Sequence, residues 1–142
     1  LLKEDEISRY RIKRQVVDDI VAHARQARPA ECCGMLIGRG DVVLESVPAT
    51  NLARDPNRFL IDPKDHIAAR RTARAAGYQI VGFYHSHPHS PPEPSPTDLA
   101  EASYDGALYL IVGLAEEPPP VRMYCLRGTR FESISIDIVS DL

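Results

Sequence analysis

The spacing of apolar and polar positions changes character several times along the chain. Residues 7–12 read as a short first strand. Residues 14–28 read as a helix, because Val16, Val17, Ile20, Val21, Ala24 and Ala27 recur at helical spacing on one face. Pro29 closes it. Cys32 to Gly38 is a short apolar run bounded by Gly38-Arg-Gly40-Asp41, and Val42 to Val47 follows, so the pair predicts a β-hairpin. Phe59-Leu-Ile61 is another short extended piece. Asp62-Pro63-Lys64-Asp65 then opens a second helix, with Asp62 as N-cap, Pro63 at N1 and Asp65 completing a capping-box-like start. That helix runs to about Ala76 and stops at Gly77.

Gln79 to His87 is apolar and partly aromatic, the pattern of a buried strand, and Pro88 ends it. Residues 88–96 hold five prolines, a stiff loop with little entropy left to lose on folding. Ser95-Pro96-Thr97-Asp98 repeats the earlier helix-start pattern and predicts a helix from Pro96 to about Tyr104. Ala107 to Leu114, Val121 to Leu126 and Phe131 to Ile138 read as three further strands. Intermixed strands and helices predict an α/β (α+β) fold: a mixed sheet flanked by helices, in one domain over residues 1–142 with its core at about 7–138.

Composition narrows the function classes. The 142 residues are 44% hydrophobic and 26% charged, with a net charge of −3, and this gives no reason to expect nucleic acid or an anionic membrane as partner. No apolar run is long enough to span a bilayer. Leu1-Leu-Lys-Glu-Asp-Glu lacks the apolar stretch of a secretion signal. The three cysteines, Cys32, Cys33 and Cys125, form no C-x-x-C pair and read as buried free thiols, which suits a reducing, cytoplasmic setting.

The chemistry concentrates at His85-Ser86-His87-Pro88. Alternate strand residues share a face about 6–7 Å apart, so the two imidazoles can converge on one ion. Because Pro88 ends the strand, the pair is expected at a sheet edge, open to solvent. A catalytic zinc wants three protein ligands and a water, so a third ligand is needed. His89 continues the alternation, but the proline loop turns it away. Asp98 stands in the first turn of the next helix, where exposed amides favour a carboxylate. Spacing leaves Asp98 open between metal ligand and simple capping residue, and Ser95 open between functional hydroxyl and N-cap. It equally leaves Glu31, Glu93, Glu101 and Asp105 open as the base that a metal-dependent hydrolase requires.

The run His85-x-His87-Pro88, six residues, then Ser95-x-x-Asp98 resembles the JAMM (MPN-plus) metallopeptidase motif in every specified position, and Glu31-Cys-Cys-Gly34-Met-Leu-Ile-Gly38 resembles that family's E-x-x-G-x-x-x-G strand. The resemblance covers roughly residues 7–138. It implies a single MPN/JAMM domain with a curved, cytidine-deaminase-like sheet. It further implies one Zn²⁺ held by His85, His87 and Asp98, Glu31 as general base, and Ser95 steadying the oxyanion. The substrate it implies is an amide or isopeptide bond after the C-terminal glycines of a ubiquitin-like protein. The short chain is similar to compact prokaryotic members, some of which act on ubiquitin-like sulfur carriers, and an extended carrier tail is expected to add along a sheet edge near the metal.

Three other readings compete: a non-catalytic MPN interaction module, a zinc deaminase, and a hydrolase of small amides. The module typically lacks metal ligands, and a deaminase needs H-x-E with P-C-x-x-C, which this chain lacks. Plain structural roles are expected elsewhere. Tyr84, Tyr104 and Tyr109 read as core or rim aromatics, Cys32 and Cys33 as packing residues, and His23 and His66 as surface residues. Arg70, Arg71 and Arg74 read as a solvated helix face.

Overall fold

The computed structural model describes residues 7–102 and 104–142. Seven strands and three helices follow in the order β1 (Arg9–Lys13), α1 (Arg14–Ala27), β2 (Cys33–Arg39), β3 (Val42–Ala49), α2 (Pro63–Ala75), β4 (Gln79–His87), α3 (Pro96–Glu101), β5 (Leu108–Gly113), β6 (Val121–Arg127) and β7 (Arg130–Val139). The mixed sheet curves far enough to close, in the order β1-β3-β2-β4-β5-β6-β7. Parallel pairing of β7 with β1, from Arg9↔Ser135 to Lys13↔Val139, makes the closure. No described helix is long and apolar enough to cross a membrane. The reading made at Leu1–Glu6 lies outside the described residues.

Two apolar layers hold this sheet. The periodic face of α1 buries Val16, Val17, Ile20 and Ala24 in a cluster with Tyr10, Ile12, Leu36, Val43, Tyr84 and Leu110. The opposite face packs Met35, Ile37, Phe83 and Tyr109 against Ala69 and Ala73 of α2. β2, β4 and β5 are therefore covered on both sides, which explains their nearly unbroken apolar sequences. Gly34 is needed in β2 because a Cβ there would meet the Tyr84 ring at 2.2 Å.

Several local expectations change in three dimensions. Asp62 caps α2 by accepting from the Lys64 amide at 2.9 Å, but Asp65 completes no capping box. Its Oδ2 instead accepts the Thr50 amide at 2.7 Å, tying α2 to the end of β3. The Thr50 amide, just past the end of β3, takes the carboxylate away from its own helix start. Phe59-Leu-Ile61 forms only an isolated bridge, Asn51↔Ile61. α3 ends at Glu101. The histidine strand is no sheet edge: β4 lies between antiparallel β2 and parallel β5. The pair opens outward because it stands at the strand's end, and β4 offers no free lateral edge to a substrate tail.

Candidate metal centre

Alternation along β4 sends Phe83, His85 and His87 to the α2 side and Tyr84 and Ser86 to the α1 side. The proline loop then folds back over the strand end. Its Pro91 carbonyl accepts from His87 Nδ1 at 2.8 Å, and its Pro92 carbonyl accepts from the Tyr124 hydroxyl at 3.0 Å. Gly113 of β5 permits this approach, since a Cβ there would lie 2.8 Å from Pro92. The return path sets the start of α3 above the two histidines.

There His85, His87 and Asp98 converge, each offering one atom within 4.8 Å of the others. His85 Nε2 lies 3.3 Å from His87 Nε2 and 3.2 Å from Asp98 Oδ1, while His87 Nε2 lies 3.0 Å from Asp98 Oδ2. Tetrahedral zinc with bonds of about 2.0–2.1 Å would place neighbouring ligand atoms about 3.3–3.4 Å apart, so this donor set has the size zinc requires. The protonation pattern agrees. His87 gives its Nδ1–H to Pro91, so in a neutral ring Nε2 points a lone pair inward at a carboxylate and a second imidazole nitrogen. Such a cluster of acceptors is satisfied by protons or by a cation. His85 is held differently: its ring stacks on Phe59, with centroids 4.4 Å apart, and its Nδ1 is buried with no hydrogen-bond partner.

Asp98 plays two parts at once. Ser95 Oγ accepts the Asp98 amide at 3.0 Å, and Asp98 Oδ2 accepts the Ser95 amide at 2.9 Å, a complete capping box. The same carboxylate faces both histidines, so the cap and the histidine-facing group are one residue. The Ser95 oxygen is taken up as an acceptor, but its O–H can still donate outward.

Burial opposes the charge of Asp98, yet hydrogen bonds from both histidines and the Ser95 amide outweigh it and hold the carboxyl far below the usual carboxylate range. Burial pulls His85 down. It also works against His87, but the Asp98 and Pro91 contacts, with the charges of Asp98 and Glu31, lift that imidazole above its ordinary value.

Glu31 stands just before β2. Cys33 pairs with His85, and the ladder continues as the Ser86 amide donates to Cys32 O at 3.2 Å, which brings Glu31 opposite His87. Glu31 is 7% exposed, and its charge reaches His87. Its backbone is fixed on both sides: its amide donates to Pro56 O at 3.0 Å, and its carbonyl accepts from Asn51 Nδ2 at 3.0 Å. The other candidate bases are placed less well. Glu93 is exposed, and Asp105 is exposed and accepts the Gly128 amide at 2.7 Å. The Glu101 side chain lies outside the described residues. His89 is exposed and takes no part in the cluster.

Cys32 and Cys33 are buried packing groups: burial pushes Cys32 up to about 11 and Cys33 up to about 12, which favours the protonated thiols. Neither His23 nor His66 is a plain surface residue. His23 Nδ1 lies 2.7 Å from the Tyr84 hydroxyl, and His66 meets Phe83 and Tyr104 edge-on. Sequence reasoning passed over Phe59, Asn51 and Ser86, the last fully buried with its Oγ accepting the Cys32 amide at 2.8 Å. A polar residue inside an apolar strand was the available signal for Ser86, while Phe59 and Asn51 carried none.

Comparison with known proteins bears on this geometry. Residues 13–126 match the family described as prokaryotic homologs of the JAB domain. The chain is 40% identical over 111 residues to a desampylase of Haloferax volcanii, covering 73% of this chain and 80% of that one. It is 34% identical over 103 residues to a CysO-cysteine peptidase of Mycobacterium bovis, covering 71% and 70%. A solution structure of a Desulfitobacterium hafniense protein superposes with a TM-score of 0.86 at 32% identity, over 94% of each chain. With a motif complete in sequence and closed in space, the chain belongs to the prokaryotic JAB family and is a JAMM-type hydrolase.

Proposed function

We propose that this domain, over residues 7–138, is a zinc-dependent peptidase or isopeptidase. It cuts the amide bond after the C-terminal glycines of a ubiquitin-like or sulfur-carrier protein. The observation that carries the reading is the set of three ligand atoms at zinc spacing, with a buried glutamate on the same face of the sheet. The desampylase and CysO-cysteine peptidase relatives support the substrate class. The three buried free thiols support a reducing compartment such as the cytoplasm.

His85, His87 and Asp98 would hold one zinc ion per chain. When bound, it supplies a Lewis acid and a water made acidic enough to act as nucleophile near neutral pH. Glu31 accepts the proton of the attacking water and returns it to the leaving amine. Ser95 donates its O–H to the carbonyl oxygen as charge grows there, while its own oxygen keeps the α3 cap. The loop backbone and the capping box keep the His87 ring and the Asp98 carboxylate in place during these transfers.

The test is metal content after thorough dialysis, on wild type and Asp98→Ala in parallel. About one zinc per wild-type chain, lost or much weakened in the variant, is the expected result. Wild-type protein that takes up no zinc when it is added back sinks the peptidase reading.

A further inference from the structure

A cavity of about 320 Å³ opens directly beside His85 and Asp98, with walls that include Phe59, Phe83, Tyr109 and Phe131. Glycine would leave this space empty; a bulky apolar side chain would fill it. At His66, Phe83 and Tyr104 the cavity meets a second one of about 480 Å³, whose far wall carries Arg70, Arg74 and Tyr78. The two form one groove along α2, apolar at the metal centre and basic at its end.

Among the described residues, charge at the far end of this groove is unbalanced. Arg70 and Arg74, which line that end, are exposed, and neither has an ion-pair partner among the described residues. Arg39 joins them, lying over the Tyr78 ring at 5.5 Å. The chain as a whole is negative, at −3. A basic strip on an acidic protein therefore selects for an acidic partner surface.

The groove also has a direction. It is walled by His85 and Asp98, whereas Glu31 stands across from His87. If Glu31 returns a proton to the leaving amine, the amine departs on the Glu31 side and the groove takes the acyl side. From His66 through Arg70 to Arg74 the helix rises about 12 Å, the length of about four extended residues.

We propose, on the strength of the peptidase reading, that this groove receives the carrier protein itself. A bulky apolar side chain of its C-terminal tail fills the aromatic cavity, and an acidic surface at the root of the tail docks on Arg70 and Arg74.

Anisotropy of labelled eight-residue peptides tests it. Each ends Leu-Ser-Gly-Gly, preceded by four glutamates, four glutamines or four lysines, and each is titrated with the intact chain at low salt. The glutamate peptide is expected to bind about tenfold tighter than the glutamine one, with the gap shrinking as salt rises. The variant R70E/R74E, changed only at exposed positions, should erase that preference and favour the lysine peptide. Replacing the peptide's leucine by serine should weaken binding in both proteins. Equal affinities, a preference that survives in R70E/R74E, or a preference seen only when the glutamates follow the glycines each overturns the proposal. Cleavage of the matching coumarin amides separates the two readings. Charge preference without cleavage faults the peptidase reading, and cleavage without charge preference faults the docking groove.

Discussion

The two faces of β4 are built from neighbouring residues and behave as opposites. On the α1 side, polar groups find their partners within the protein: Tyr84 meets His23 at 2.7 Å, and Ser86 takes the Cys32 amide at 2.8 Å. On the α2 side, His85 and His87 turn nitrogens towards each other at 3.3 Å and towards a carboxylate. The first face is complete as folded protein. The second gathers three ligand atoms round one point, held by the loop and helix cap that directly follow the strand. A buried polar group that completes its own bonds acts as structure, and a cluster of inward acceptors marks chemistry.

The largest expected effect falls on the chemical face. Glu31→Gln should keep its zinc and lose roughly 10³-fold in kcat, the usual scale for removing a general base. Turnover like wild type would take Glu31 out of that role. Ser95→Ala should lower kcat by about 10²-fold and cost about 1 kcal/mol of stability through the lost cap. If only stability falls, the hydroxyl is a cap and nothing more.

Changes on the other face should move stability and leave turnover per folded molecule alone. Gly34→Ala drives a methyl into the Tyr84 ring and should cost about 1–3 kcal/mol, read as a fall in denaturation midpoint. Tyr84→Phe removes the His23 contact for about 1 kcal/mol. A large drop in zinc affinity in either variant would blur the division between the faces.

The smallest effect is a pH dependence. Burial lowers the His23 pKa, so the unfolded chain binds this proton more readily than the folded one. The contribution is complete above the unfolded value of about 6.5 and fades as pH falls from there towards the lower folded value. Thermal scans from neutral to mildly acid pH should slope less in His23→Gln than in wild type. Parallel slopes would show that His23 does not report on the fold.

Much of this was legible beforehand because it is local. The helix faces, the Asp62-Pro63 and Ser95-Pro96 starts, and the strand ending at Pro88 all depend on a few adjacent residues. What escaped depends on partners far away in the chain. Asp65 left its own helix start for Thr50, Phe59 came to stack on His85, and barrel closure pairs Arg9 with Ser135. The choice between cap and ligand at Asp98 was unanswerable from spacing for a different reason: one carboxylate serves both, its Oδ2 meeting the Ser95 amide and His87 while its Oδ1 faces His85.

That double use at Asp98 has a consequence for the order of events. A free helix of six residues would not persist in water, so α3 depends on its cap and on the packing of Leu99 and Ala102. The capping carboxylate is thus oriented by folding, ahead of any ion, and the entropy of arranging it is already spent. Chelation should then remove activity while α3 and the barrel persist, and uptake of metal should be quick and free of a folding step. In a zinc finger the ion makes the fold; here the fold makes the seat.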